Sequence, residues 1–132
     1  MKNVFLIDDD LSHIAVLAVA LIDAGYQIIA KIDSESAVAV LGENIRIDLI
    51  IINYEMQGLD AFSFMTMLRE LMPNVPVIVL TVNCNVDNYL KVMSLGAIEY
   101  MSKPVRIAEL RRVIEAALLD SERDGLSRIS RY

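Results

Sequence analysis

The chain has 132 residues, a formal net charge of −6 and hydrophobic residues over 55% of its length, enough for one domain with its own core and no help from disulfides or metals. Its longest unbroken apolar run, Ile14 to Ile22, falls well short of the roughly 20 residues that cross a bilayer, and Asp8, Asp9 and Asp10 interrupt the N-terminus where a signal sequence needs an apolar stretch. The acidic balance, with no stripe of Lys or Arg, argues against direct nucleic-acid binding, and the single cysteine, Cys84, excludes an internal disulfide and suits a reducing compartment. The expectation is a soluble, cytoplasmic protein without a membrane segment.

In chain order, Val4-Phe5-Leu6-Ile7 is a continuous apolar run closed by the three aspartates. Such a run, rich in Val and Ile, reads as a strand covered on both faces, which implies a parallel sheet. Ser12 can cap a first helix whose Ile14, Leu17, Ala18 and Leu21 share one face, ending at Gly25. Val16, Val19, Ala20 and Ile22 lie off that stripe, so this helix is apolar nearly all round: either deeply buried or part of an interface, with a homodimer as one form of it. Ile28-Ile29-Ala30 is a second strand, and Ser34 or Ser36 opens a second helix ending near Gly42. Leu49-Ile50-Ile51-Ile52 is a third strand. Asp60 can cap a third helix through Met72, with Phe64, Met67, Leu68 and Leu71 at helical spacing and Pro73 beyond.

Val77-Ile78-Val79-Leu80 is a fourth strand, followed by a helix from about Val86 to Leu95 that stops at Gly96. The Ile98-Tyr100-Met101 region is a fifth strand. A last helix runs from Ile107 to about Leu119, and from Asp120 to Tyr132 the apolar periodicity is lost, as in a frayed end or a linker. Five strands alternating with five helices imply an α/β fold, a doubly wound five-stranded parallel sheet flanked by five helices. In such sheets ligands gather at the carboxyl ends of the strands, near the point where strand order reverses.

Those ends are polar here: Asp8-Asp9-Asp10 after the first strand, Asn53 after the third, Thr81 after the fourth, Lys103-Pro104 after the fifth. Adjacent carboxylates repel and want a counter-cation, and Mg²⁺ accepts one or two carboxylates plus waters. A lysine at a neighbouring strand end adds a second positive charge. Together these residues describe a pocket for a phosphoryl group with its metal; as mere helix caps, one aspartate would suffice. His13 reads as a surface residue at a helix start.

The order of these features resembles the receiver domains of two-component response regulators, including the chemotaxis regulator, whose fold is flavodoxin-like. The likeness covers about residues 3 to 120; the receiver unit is taken as 1–120, with 121–132 a tail or the start of a linker. It rests on the acidic pair Asp8 and Asp9, on Pro76-Val77-Ile78-Val79-Leu80-Thr81, and on the sequence Gly96-Ala97-Ile98-Glu99-Tyr100-Met101-Ser102-Lys103-Pro104. By resemblance Asp8 and Asp9 help hold Mg²⁺, Glu55 offers its backbone carbonyl to the metal, Thr81 hydrogen-bonds a phosphoryl oxygen, Lys103 pairs with it, and Tyr100 moves between inward and outward positions as the output changes.

The third motif departs from the pattern. In Asp48-Leu49-Ile50-Ile51-Ile52-Asn53-Tyr54-Glu55-Met56-Gln57-Gly58-Leu59-Asp60 the sixth position, where the family carries its phosphoacceptor aspartate, is Asn53; Gln57 replaces the usual Pro and Ala61 the usual small glycine. A carboxamide has no full negative charge and its nitrogen lone pair is delocalised, so it is a poor nucleophile. Asn53 can still offer a carbonyl oxygen to a metal or bond to Lys103, but with two formal negative charges from Asp8 and Asp9 instead of three the pocket binds Mg²⁺ weakly. The Glu55 side chain is available as an extra carboxylate.

Two functions follow. One is a pseudo-receiver, a protein-interaction module for a histidine kinase or a downstream output protein, with no aspartyl phosphorylation at Asn53. The other is a phosphoaccepting receiver whose aspartate was deliberately exchanged or whose phosphoryl group lands on Asp8, Asp9 or Glu55. The atypical Gln57 and Ala61 favour the first. An enzyme on the same architecture lacks support: there is no Gly-rich phosphate loop, no nucleophile beside a histidine and no His/Cys metal cluster.

Overall fold

A computed structural model describes residues 1–58 and 60–130, with side chains described through Arg123. Strands β1 (Asn3–Ile7), β2 (Gln27–Lys31), β3 (Leu49–Asn53), β4 (Val77–Thr81) and β5 (Glu99–Ser102) alternate with helices α1 (Leu11–Asp23), α2 (Ser34–Leu41), α3 (Ala61–Leu71), α4 (Val86–Ser94) and α5 (Ile107–Ser130). All pairings are parallel, in the order β2-β1-β3-β4-β5. The chain first steps outward from β1 to β2, then returns past β1 to β3, so winding reverses between β1 and β3.

Strand alternation divides the core into two layers. Phe5, Ile7, Ile50, Ile52, Val77, Val79 and Tyr100 face α2, α3 and α4 through Ala37, Val40, Phe64, Leu68 and Val92. Val4, Leu6, Leu49, Ile51, Ile78, Leu80 and Met101 face α1 and α5 through Leu17, Leu21, Leu110, Ile114 and Leu118. Each fully buried aliphatic side chain contributes roughly 1.5–3 kcal/mol by leaving water. β3 and β4 are buried at every position, and β1 is buried after Asn3. The expectation of two covered faces fails for β2, which is an edge strand and is nowhere fully buried.

Helix starts differ from the expected ones in an instructive way. Asp10, not Ser12, caps α1: its carboxylate accepts from the backbone N–H groups of Ser12 and His13 at 3.0 and 3.2 Å. Asp33, not Ser34 or Ser36, caps α2, and Asn85 caps α4. Asp60 caps α3 as expected. At the other ends, Gly25 and Gly96 adopt positive φ just past α1 and α4, the conformation a side chain would disfavour.

The last helix corrects a further expectation. α5 does not fray at Leu119 but continues to Ser130, while Arg131 and Tyr132 of the expected tail lie outside the described residues. Residues 120–123 need no apolar stripe to remain helical, because their charged ends find partners: Asp120 lies 4.0 Å from Arg123, and Glu122 bridges to Lys2 beside β1 at 3.1 Å. Among the described residues, no helix is long and apolar enough to cross a membrane.

Candidate functional site

The reversal of winding places the ends of β1 and β3 side by side, with β4 and β5 beyond β3. Asp8, Asp9, Asn53, Thr81 and Lys103 therefore converge at one edge of the sheet, although they are far apart in sequence.

Asp8 is the most deeply held charge, at 4% exposure. Burial of an unpaired carboxylate would cost several kcal/mol, yet its oxygens have three donors. The Lys103 ammonium donates to Oδ2 at 2.7 Å, His13 Nδ1 lies 2.7 Å from the same oxygen, and the Asp10 N–H donates to Oδ1 at 3.0 Å. Burial alone pushes the Asp8 carboxyl upward, but the hydrogen bonds from Lys103, the Asp10 backbone and His13 outweigh it and hold the group below its ordinary value. Asp9, by contrast, is exposed.

Asn53 ends β3 with its side chain buried. Its Nδ2 donates to the Glu55 backbone carbonyl at 3.3 Å and to Asp9 Oδ1 at 3.5 Å. These two acceptors fix the amide: a flipped group would set its carbonyl against a carboxylate. Oδ1 is thereby left buried with no hydrogen-bond partner. Lys103 goes to Asp8 and not to Asn53.

Glu55 also differs from expectation. Its side chain does not join Asp8 and Asp9 as an extra carboxylate but reaches across to the end of β4. Thr81 Oγ1 donates to Oε2 at 2.6 Å and the Val82 N–H donates to Oε1 at 2.7 Å. Thr81, fully buried, accepts in turn from the Asn83 N–H at 3.1 Å. Tyr100 is 7% exposed and lies inward, its hydroxyl donating to the Asn83 carbonyl at 3.4 Å. The Tyr54 ring meets it edge-on at 6.3 Å and Tyr89 at 6.1 Å, while the Tyr54 hydroxyl donates to Asn88 Oδ1 at 2.9 Å.

Sequence reasoning missed His13, Tyr54 and Asn83. His13 carried a usable signal: with Asp10 as the cap, it falls in the first turn of α1, directly over the end of β1. Its side chain is 15% exposed and bonded to Asp8, so it is not the surface residue expected.

Residues 4–115 match the family model of the response regulator receiver domain. The chain belongs to this family. It is 34% identical over 116 residues to the transcriptional regulatory protein PrrA of Mycobacterium tuberculosis, covering 88% of this chain and 49% of PrrA. It is 25% identical over 123 residues to the transcriptional regulatory protein ZraR of Salmonella typhimurium, covering 93% of this chain and 28% of ZraR. The receiver thus spans half or less of these curated relatives. Among solved structures, a CheY-like receiver domain protein from Methanospirillum hungatei superposes with a TM-score of 0.90 over 95% of this chain and 99% of that one, at 22% identity. The beryllofluoride-activated NtrC4 receiver domain dimer gives 0.83 over 92% and 99%, at 25% identity. The fold is therefore the flavodoxin-like receiver fold, and the receiver belongs to two-component signalling.

Receiver domains typically bind Mg²⁺ at this acidic site, and the donors here fit a hard cation in kind. The unpartnered, buried Oδ1 of Asn53 is such a donor, alongside the Asp9 carboxylate and the Glu55 carbonyl. They fit poorly in charge: Lys103 already compensates Asp8, and among the described residues no group of three His, Cys, Asp or Glu side chains is placed to hold a metal.

Proposed function

We propose that this receiver passes its signal by contact with protein partners, without aspartyl phosphorylation at position 53. The observation that carries the reading is Asn53 itself. At the strand end where a carboxylate nucleophile would stand there is an amide, its NH₂ spent on Asp9 and the Glu55 carbonyl. An amide nitrogen with a delocalised lone pair does not attack phosphorus.

The displaced acceptors fare unevenly. Both Asp8 oxygens already accept hydrogen bonds, and both Glu55 oxygens are engaged by Thr81 and Val82. Asp9 alone is exposed, and it is the residue through which the second reading, a phosphoaccepting receiver, would act. Under the first reading the chain is not an enzyme, Mg²⁺ is held weakly by Asp8, Asp9, Asn53 Oδ1 and the Glu55 carbonyl, and Thr81, Tyr100 and Lys103 form the switch. The partners are a histidine kinase or a downstream output protein. The outward apolar residues of α1, Val16, Val19 and Ile22, are available for a second copy of the chain.

Incubation with acetyl phosphate and Mg²⁺ followed by intact-mass measurement tests this. The expected result is no added phosphoryl mass on the unmodified chain and a gain in Asn53→Asp. Mass added to the unmodified chain would eliminate the contact-only reading, and Asp9→Asn would then locate the acceptor.

A further inference from the structure

We propose that the Glu55 carboxylate is the resident ligand of an oxyanion site formed by Thr81 Oγ1 and the Val82 N–H, holding the pocket closed and Tyr100 inward with no covalent modification. It deepens the preceding section's reading, supplying from within the chain the charge that a non-accepting Asn53 never receives.

The geometry is that of a bound anion. Each carboxylate oxygen takes one donor, at 2.6 and 2.7 Å, the short range of charge-assisted hydrogen bonds. One donor is a fully buried hydroxyl at the end of β4 and the other a backbone N–H beside it, so the cradle belongs to the sheet end and not to a mobile side chain. Lys103 does not compete for the carboxylate, because its ammonium sits on Asp8 Oδ2.

The bond has a direction of consequence. Thr81 Oγ1, held by Glu55, accepts from the Asn83 N–H, and the Asn83 carbonyl accepts from the Tyr100 hydroxyl. Glu55, Thr81, Asn83 and Tyr100 thus form one continuous chain of hydrogen bonds. The same β3–α3 segment supplies Tyr54, whose ring braces Tyr100 and whose hydroxyl ties to α4 through Asn88. A single carboxylate therefore joins the segment after β3 to the segment after β4, with the aromatic side chain enclosed between them. Released from Glu55, the two donors would be open to a small oxyanion from solution. Inorganic phosphate is the probe of choice.

The experiment compares unmodified chain, Glu55→Gln and Glu55→Ala by amide and aromatic NMR, with thermal unfolding to establish that each is folded. In the unmodified chain the Val82 amide proton should be deshielded by its carboxylate partner and insensitive to added phosphate. In Glu55→Ala it should move upfield, the Tyr100 ring signals should change, and phosphate should reverse both shifts. The apparent phosphate affinity should be at least ~tenfold above that of the unmodified chain, because a tethered ligand competes at millimolar effective concentration. The isosteric Glu55→Gln, which keeps the shape without the charge, should give an intermediate Val82 shift, and it decides the matter if Glu55→Ala is unfolded. Unchanged Val82 and Tyr100 signals in the folded variants, or equal phosphate binding by the unmodified chain, would overturn the proposal. Acetyl phosphate is absent throughout, so a phosphorylated unmodified chain with an intact Glu55 effect would remove only the contact-only reading.

Discussion

Replacing Asn53 by aspartate probes the electrostatics of the pocket as well as its chemistry. The substitution exchanges an amide donor, 3.5 Å from Asp9 Oδ1 and 3.3 Å from the Glu55 carbonyl, for an anionic oxygen. Two unit charges about that far apart repel by ~4–5 kcal/mol at an effective dielectric near 20 and by ~1 kcal/mol in bulk water. Position 53 is buried while Asp9 is exposed, which puts the repulsion between those limits, ~2–3 kcal/mol. Losing the two long hydrogen bonds adds at most ~1 kcal/mol. Urea unfolding followed by circular dichroism at neutral pH, in the presence of a chelator, should therefore find Asn53→Asp about 3 kcal/mol less stable than the unmodified chain. Saturating Mg²⁺ should restore most of that loss in the variant, since binding at ~100 times Kd contributes ~2.7 kcal/mol, and should leave the unmodified chain nearly unchanged. Equal stability of the two proteins without metal, or an equal gain from Mg²⁺ in both, would refute the reasoning.

Three other outcomes follow from particular contacts. Asp60→Ala removes the acceptor for the Ser63 N–H at 2.9 Å and the Ser63 hydroxyl at 3.0 Å, and should cost about 1 kcal/mol, read as a lower Tm in a thermal melt. Leu110→Ala, at a fully buried position between α5 and the sheet, should cost ~2–5 kcal/mol, whereas Val19→Ala on the outward face of α1 should change stability by less than ~0.5 kcal/mol in the same assay. Acid should weaken the fold through Asp8, Asp33 and Asp60. Donors to Asp8 outweigh its burial, the Ser36 N–H and hydroxyl hold Asp33 low, and the Ser63 N–H does the same for Asp60 against slight burial. Carboxyls with depressed folded-state values contribute stability that is present above the unfolded value near ~3.9 and lost as pH falls through the folded values. Urea midpoints should thus hold steady from neutral pH to about 5 and decline below about 4; a midpoint constant down to about pH 3 would contradict the assignment of these donors.

Element order, strand ends and the convergence of Asp8, Asn53, Thr81 and Lys103 were legible in the chain because they depend on period and position. Apolar runs of β length alternate with helical stripes, and a doubly wound sheet brings its strand ends together whatever the loops do. Helix caps were less legible because Asp10 competed with Ser12, and Asp33 with Ser34 and Ser36; all are competent caps, and only the entry angle of the chain selects between them. The extension of α5 was hidden because no apolar period marks residues 120–123; their support is ionic. Least legible were the partners of long polar side chains. Glu55 lies two residues from Asn53, so proximity in sequence suggested the metal side of the pocket, but its free rotamers allow it to reach Thr81, 26 residues away. His13 was similarly obscured by an acidic neighbourhood that made any surface histidine unremarkable.

The proposed contact-only reading also changes what a partner must supply. A covalently delivered charge can reverse a two-state pocket by itself; under that reading the pocket responds only to differential affinity. If the Glu55 bonds hold Tyr100 inward in about 99% of molecules, a partner that prefers Tyr100 outward must bind that state ~10⁴-fold more tightly to invert the population, or ~5.5 kcal/mol. One that prefers it inward pays almost no conformational penalty, because the competent state is already dominant. On the proposed role of Glu55, its contacts with Thr81 and Val82 would bias the choice of partner toward proteins that read the inward Tyr100, and Val86, Tyr89 and Leu90 of α4 are exposed apolar side chains beside that ring. Tyr89 packs on Tyr100 itself, so under the same proposal a partner seated on α4 would sense the inward ring through that contact.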